Sequence, residues 1–101
     1  MAEMTRIELI IERMAMKRAG RVLQACGVTG YTVIPALAGY GRGTQWTRDT
    51  DISASQDMVV MISICSPEVA GKALDQLKSL LGSHIGVVST SPVEVLRPER
   101  F

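Results

Sequence analysis

Residues 57–81, DMVVMISICSPEVAGKALDQLKSLL, decide the fold. Asp57 to Cys65 is the most apolar segment of the chain and reads as a central strand. Ser66-Pro67-Glu68 then opens a helix. A serine hydroxyl can accept from a free N–H of the first turn, proline suits the first helical position, and an acid faces the positive end of the helix dipole. Val69, Ala70, Ala73, Leu74, Leu77, Leu80 and Leu81 recur at spacings of three and four, which is one apolar stripe. Gly82 ends the helix, and a strand from Ile85 to Thr90 follows, with an extended tail from Val93 to Arg97.

The first half of the chain repeats this order. Ile7, Leu9 and Ile11 alternate with Arg6, Glu8 and Glu12, the period of two of a strand with one polar face. Arg13 to Cys26 carries Met16, Ala19, Val22, Leu23 and Cys26 at helical spacing. Gly27 stands where a left-handed cap is needed. Gly20 is unfavourable inside a helix by roughly 1 kcal/mol relative to Ala, and is expected to mark close packing against the sheet. Tyr31 to Ile34 begins the next strand, and Pro35 restricts that strand to an edge or a bulge. From Gly39 to Gln56 neither periodicity holds, and the stretch is rich in Gly, Thr, Asp and Ser. Connections of that length inside compact domains are usually functional or mobile.

Two strand-helix-strand units joined by one long loop predict an α+β, ferredoxin-like βαββαβ domain over residues 1–101, with both helices on one face of an antiparallel sheet. Ile10 and several residues of Met58 to Ile64 remain apolar on the other face, which predicts burial against further subunits.

The composition narrows the function classes. Apolar residues are 47% of the chain and charged residues 21%, as in a folded globular protein. Apolar runs are short, no stretch has the length of a signal peptide, and a cytoplasmic location is expected. The net charge is +1, the 11 basic residues are scattered, and no basic stripe with aromatics points to nucleic acid. Cys26, Cys65 and the single His84 have no spacing suited to a metal site, so both cysteines are expected to be packing residues.

Gly27-Val28-Thr29-Gly30-Tyr31-Thr32-Val33, followed by Gly39-Tyr40-Gly41-Arg42, resembles the G-[IV]-T-G-x-T-V…G-[FY]-G-R pattern of PII nitrogen-regulatory proteins. Ser91-Pro92-Val93-Glu94 is similar to the segment before the C-terminal loop of that superfamily. The resemblance implies a homotrimer, a ligand-sensing T-loop over about residues 39–56, a C-terminal tail over 91–101, and adenine nucleotide bound in clefts between subunits. Three departures matter. No tyrosine lies in Gly43 to Gln56, so a uridylylation site has no counterpart. One extra residue separates Val33 from Gly39. The segment Gly82 to Val87 is short, with Val87 in place of the usual phosphate-binding lysine. Loss of that cation removes a partner for outer phosphates. The chain therefore resembles divergent PII-like proteins associated with carboxysome or bicarbonate-transport genes, which implies ADP or AMP as ligand, with bicarbonate as a second one.

Gly39, Gly41, Arg42 and Gly43 are the sharpest local candidates. Glycines allow consecutive N–H groups to form an anion-binding concavity, and Arg42 adds a planar cationic fork. With Thr44, residues 41–43 form the candidate bicarbonate or phosphate site. The resemblance places Thr32 at the adenine and Ser63 or Ile64 along the same cleft; each also suits a strand for packing reasons alone. His84 and Gly86 fall in the phosphate-cradling loop, and Arg97 and Arg100 in a tail that reaches a neighbouring subunit's nucleotide. Trp46 is a candidate partner anchor, since loop tryptophans are frequent at interfaces. The leading reading is a non-enzymatic sensor acting on a bicarbonate-type membrane transporter or a cytosolic target. The alternatives are a CutA-like trimeric metal-binding protein, an ordinary nitrogen-regulatory PII protein, and a small hydrolase, for which His84 lacks a visible partner in sequence.

Overall fold

The first strand extends further than its alternation implies. In the computed structural model, which describes residues 2–41, 44–47 and 57–101, β1 spans Ala2–Glu12. A short 3-10 turn, Arg13–Ala15, leads into α1, Met16–Ala25, so the predicted helix is split near its start. Then come β2 (Thr32–Pro35), β3 (Ala38–Gly41), β4 (Thr44–Thr47), β5 (Met58–Cys65), α2 (Pro67–Leu81) and β6 (Gly86–Val95). A 3-10 turn at Pro98–Arg100 ends the chain.

Four strands form one antiparallel sheet in the order β2-β5-β1-β6. Ile7, Leu9 and Ile11 of β1 lie opposite Ser63, Met61 and Val59 of β5, and this row faces the helices. Ala15, Ala19 and Leu23 on the first helical segment, with Ala70, Ala73, Leu77 and Leu80 of α2, complete the core. Each Leu, Ile, Val or Met side chain removed from water there contributes about 1.5–3 kcal/mol. The predicted α+β fold with both helices on one face is observed.

Local chemistry sets the helix ends. Ser66 Oγ accepts from the Val69 N–H at 3.2 Å, as its position predicts. Gly27 has φ 105°; its N–H donates to the Gln24 carbonyl at 3.1 Å, and that of Val28 donates to the Leu23 carbonyl at 3.0 Å, a Schellman ending. Gly20 has a different cause from the one expected. A Cβ there would run into the ring of Tyr31, so the glycine makes room for a side chain before β2, not for the sheet.

Two further expectations are corrected. Residues 39–56 are not wholly without strand structure: β3 and β4 pair antiparallel, with Gly39 opposite Trp46 and Gly41 opposite Thr44. Alternation is invisible there because glycines occupy every second position of β3. The final strand is not interrupted either. β6 runs through Pro92, which is tolerated because β6 lies at the sheet edge.

The face away from the helices carries Ile10 of β1, Thr32 and Ile34 of β2, Val60, Ile62 and Ile64 of β5, and Val87 of β6. Arg6 and Glu8 share this face and form an ion pair at 3.1 Å.

Candidate functional site

One end of the sheet gathers the residues with chemistry to offer. The end of β1, the start of β5, the end of β2 and the start of β6 meet in the cross-strand row Pro35, Val59, Ile11, Gly86. Just beyond it, Arg13 and Asp57 are joined twice: Arg13 N–H donates to the Asp57 carbonyl at 2.8 Å, and Arg13 Nε lies 2.6 Å from Asp57 Oδ2. Glu12, which the alternation places on the polar face, is only 5% exposed. Its Oε1 accepts from the Ile85 N–H at 2.7 Å and lies 3.5 Å from His84 Nδ1.

The turn between α2 and β6 is thereby tied to the end of β1. Among the described residues the His84 N–H has no hydrogen-bond partner. Glu12 N–H donates to the Ile85 carbonyl, so alternation turns the next amide, that of Gly86, away from β1. Gly86 cannot bear a side chain: a Cβ would lie 2.8 Å from the Ile10 carbonyl oxygen. His84 is not the exposed loop residue its position suggests, for its side chain is 17% exposed and beside Glu12.

The other predicted residues are dispersed. Thr32 is exposed on β2 and lies opposite Ile62, on the open face. Ile64 shares that face, whereas Ser63 lies 4% exposed beneath the helices, with no hydrogen-bond partner for its Oγ among the described residues. Burial gives Ser63 no open cleft to line. Gly39 and Gly41 lie in β3, and Thr44 and Trp46 in β4. Arg42 and Gly43 lie outside the described residues, as do residues 48–56 of the predicted loop. Arg97 and Arg100 are exposed at the chain end, and Arg97 Nε lies 3.9 Å from Glu99 Oε1.

Distances within one chain separate these groups. Thr32 is on one edge of the sheet and Gly86 on the other, three strand spacings or about 14 Å apart across the sheet and about 10 Å apart along it. Arg97 lies past the far end of β6, roughly 30 Å from Gly86 along the strand. A single chain does not bring the described ones among the predicted residues into one cleft.

Sequence reasoning missed Glu12, whose burial depends on a contact with Ile85 across 73 residues. A shallow groove of about 570 Å³ between α1 and α2, lined by Arg18, Arg21, Lys72 and Asp75 among others, also carried no sequence signal. None of the predicted site residues lines it. Among the described residues no group of three His, Cys, Asp or Glu side chains could hold a metal ion. Both cysteines are free, and burial pushes the Cys65 thiol up. No helix of the described residues is long and apolar enough to cross a membrane.

Comparison with solved structures gives chains of the same architecture. CPII, a nitrogen regulatory PII-like protein from Thiomonas intermedia, bound to ADP, AMP and bicarbonate, matches with a TM-score of 0.88 and 25% identity, over 99% of this chain and 94% of that one. Its complex with ADP and bicarbonate gives 0.86 and 26%, over 99% and 95%. A PII-like signalling protein from Thermus thermophilus shares the fold, at TM-score 0.81 and 24% identity, over 99% and 96%. No curated protein matches the sequence. The family model described as nitrogen regulatory protein P-II matches residues 4–100, nearly the whole chain, which therefore belongs to the P-II family.

Proposed function

We propose that the protein is a non-enzymatic PII-like regulator that binds ADP or AMP, with bicarbonate as a second ligand, in clefts between the subunits of a homotrimer. The observation that carries this reading is the placement of the candidate residues at opposite edges of one sheet. Thr32 lies on the edge strand β2, with Gly39 and Gly41 following it in the separate β3–β4 hairpin, and the outward His84 and Gly86 amides lie at the start of the opposite edge strand β6. A second copy beside the first supplies the missing half. The apolar face of Ile10, Val60, Ile62 and Ile64 offers the surface on which copies meet. The ligands of CPII support the choice of adenine nucleotide and bicarbonate.

Within this reading Gly41, Arg42, Gly43 and Thr44 hold the smaller anion, Ile64 and Thr32 line the base pocket, and Arg97 and Arg100 reach across to a neighbour. Occupancy of the cleft sets the conformation of the 39–56 segment, and with it the docking of a cytoplasmic partner, through Trp46. A bicarbonate-type transporter or a cytosolic target fits this role. Val87 leaves outer phosphates without a cation, so ADP and AMP are preferred over ATP.

Calorimetric titration with ADP, AMP and ATP, each with and without bicarbonate, tests the reading. ADP or AMP should bind more tightly than ATP, and bicarbonate should change the affinity. Absence of heat with every nucleotide at millimolar concentration sinks it.

A further inference from the structure

Glu12 ends the polar row of β1, yet it is buried while Arg6 and Glu8 in the same row stay about one-third exposed. A carboxylate withdrawn from water is held there only by donors. Those donors come from a single short turn. Ile85 N–H gives the short bond of 2.7 Å, His84 Nδ1 stands at 3.5 Å from the same oxygen, and the Ile85 carbonyl accepts from Glu12 N–H at 3.3 Å.

The other end of the turn is tied to the helix. Ser83 N–H and Ser83 Oγ both donate to the Leu80 carbonyl at 3.2 Å, and Gly82 N–H donates to the Lys78 carbonyl at 3.1 Å. Gly86 then enters β6 against the Ile10 carbonyl with no room for a side chain. Among the described residues only Glu12 fixes the middle of the turn between these anchors, and the amides it leaves pointing away without a described partner are those of His84 and Gly86.

We propose that Glu12 is a positioning residue: its buried carboxylate clamps residues 84 and 85 to the end of β1, so that the His84 and Gly86 N–H groups are held ready for a nucleotide's phosphates. The ligand in this proposal rests on the nucleotide reading above; the clamp rests on Glu12 itself. A carboxylate so close to the phosphate turn does not attract the ligand. It acts through the backbone, and its hydrogen bond to Ile85 is what matters.

The test uses the full chain with Glu12→Met, which keeps the volume and removes the acceptor, and Glu12→Gln, which keeps an acceptor without the charge. Amide hydrogen exchange and ADP titration are read on each. In Glu12→Met the Ile85 amide should exchange at least about tenfold faster and ADP affinity should fall about tenfold, as loss of a charge-assisted hydrogen bond implies. The amides of α2 should not change. Glu12→Gln should restore both readouts to within about threefold of the parent. Unchanged Ile85 exchange or unchanged ADP affinity in Glu12→Met overturns the proposal, as does a parent Ile85 amide that exchanges like an exposed one, which needs no variant to fold. A parent that binds no nucleotide overturns the functional reading, and the exchange result then decides the clamp alone.

Discussion

Ser63 is the one buried hydroxyl oxygen without a hydrogen-bond partner among the described residues. It sits opposite Ile7 in the apolar layer beneath the helices, where an unmet hydroxyl costs about 1–3 kcal/mol. Ser63→Ala should therefore raise the unfolding midpoint in denaturant by up to about 1 kcal/mol in free energy, and leave ADP affinity unchanged. A loss of ADP binding in a folded Ser63→Ala protein would restore it to the site. Its neighbour in the same row, Cys65, is buried beside the helices, and its thiol is held protonated by desolvation. Such residue-level facts are only partly legible in sequence. Ile7, Leu9 and Ile11 announce their burial by alternation. Ser63 and Glu12 do not, since the face of one depends on strand register and the burial of the other on a turn far away in the chain.

Elements are more legible where a local rule governs them. Ser66 illustrates this: the Ser-Pro-Glu sequence names the start of α2, and the hydroxyl bond to Val69 realises it. Ser66→Ala should lower stability by about 1 kcal/mol through the loss of that cap, measured by thermal or denaturant unfolding. No change in stability would mean that Pro67 and Glu68 suffice to start the helix. The Gly27 ending was equally readable, because a left-handed residue after an apolar stripe leaves few choices. The β3–β4 ladder was not, because glycine carries no side chain with which to alternate. The continuation of β6 through Pro92 is not legible in sequence for another reason. Proline breaks ladders in the middle of sheets, and the sequence does not say that β6 has only one neighbour.

At the scale of the molecule, the half-exposed face of Ile10, Val60, Ile62 and Ile64 is the least satisfied part of the fold. If three copies bury it, light scattering should give three times the chain mass of 10.9 kDa. Ile62→Lys places a charge at the middle of that face, next to Glu8 in the separate chain, and should yield a folded monomer, since a lysine there is tolerated in water but not in a dry interface. A parent of single-chain mass would refute the assembly. The candidate site depends on this outcome, because its halves lie at opposite sheet edges. The sequence showed the surplus of apolar residues, while their division between two faces became definite only with the pairing of β5. The two edge strands have a further consequence. Ala36 N–H bonds inward to the Met58 carbonyl, so alternation turns the nitrogen of Pro35 outward, and the same counting from Ile85 turns that of Pro92 outward. Each free border of the sheet thus lacks a donor where a stray strand would seek one. A newly made chain that has not yet met its partners is guarded against zipping edge to edge into aggregates.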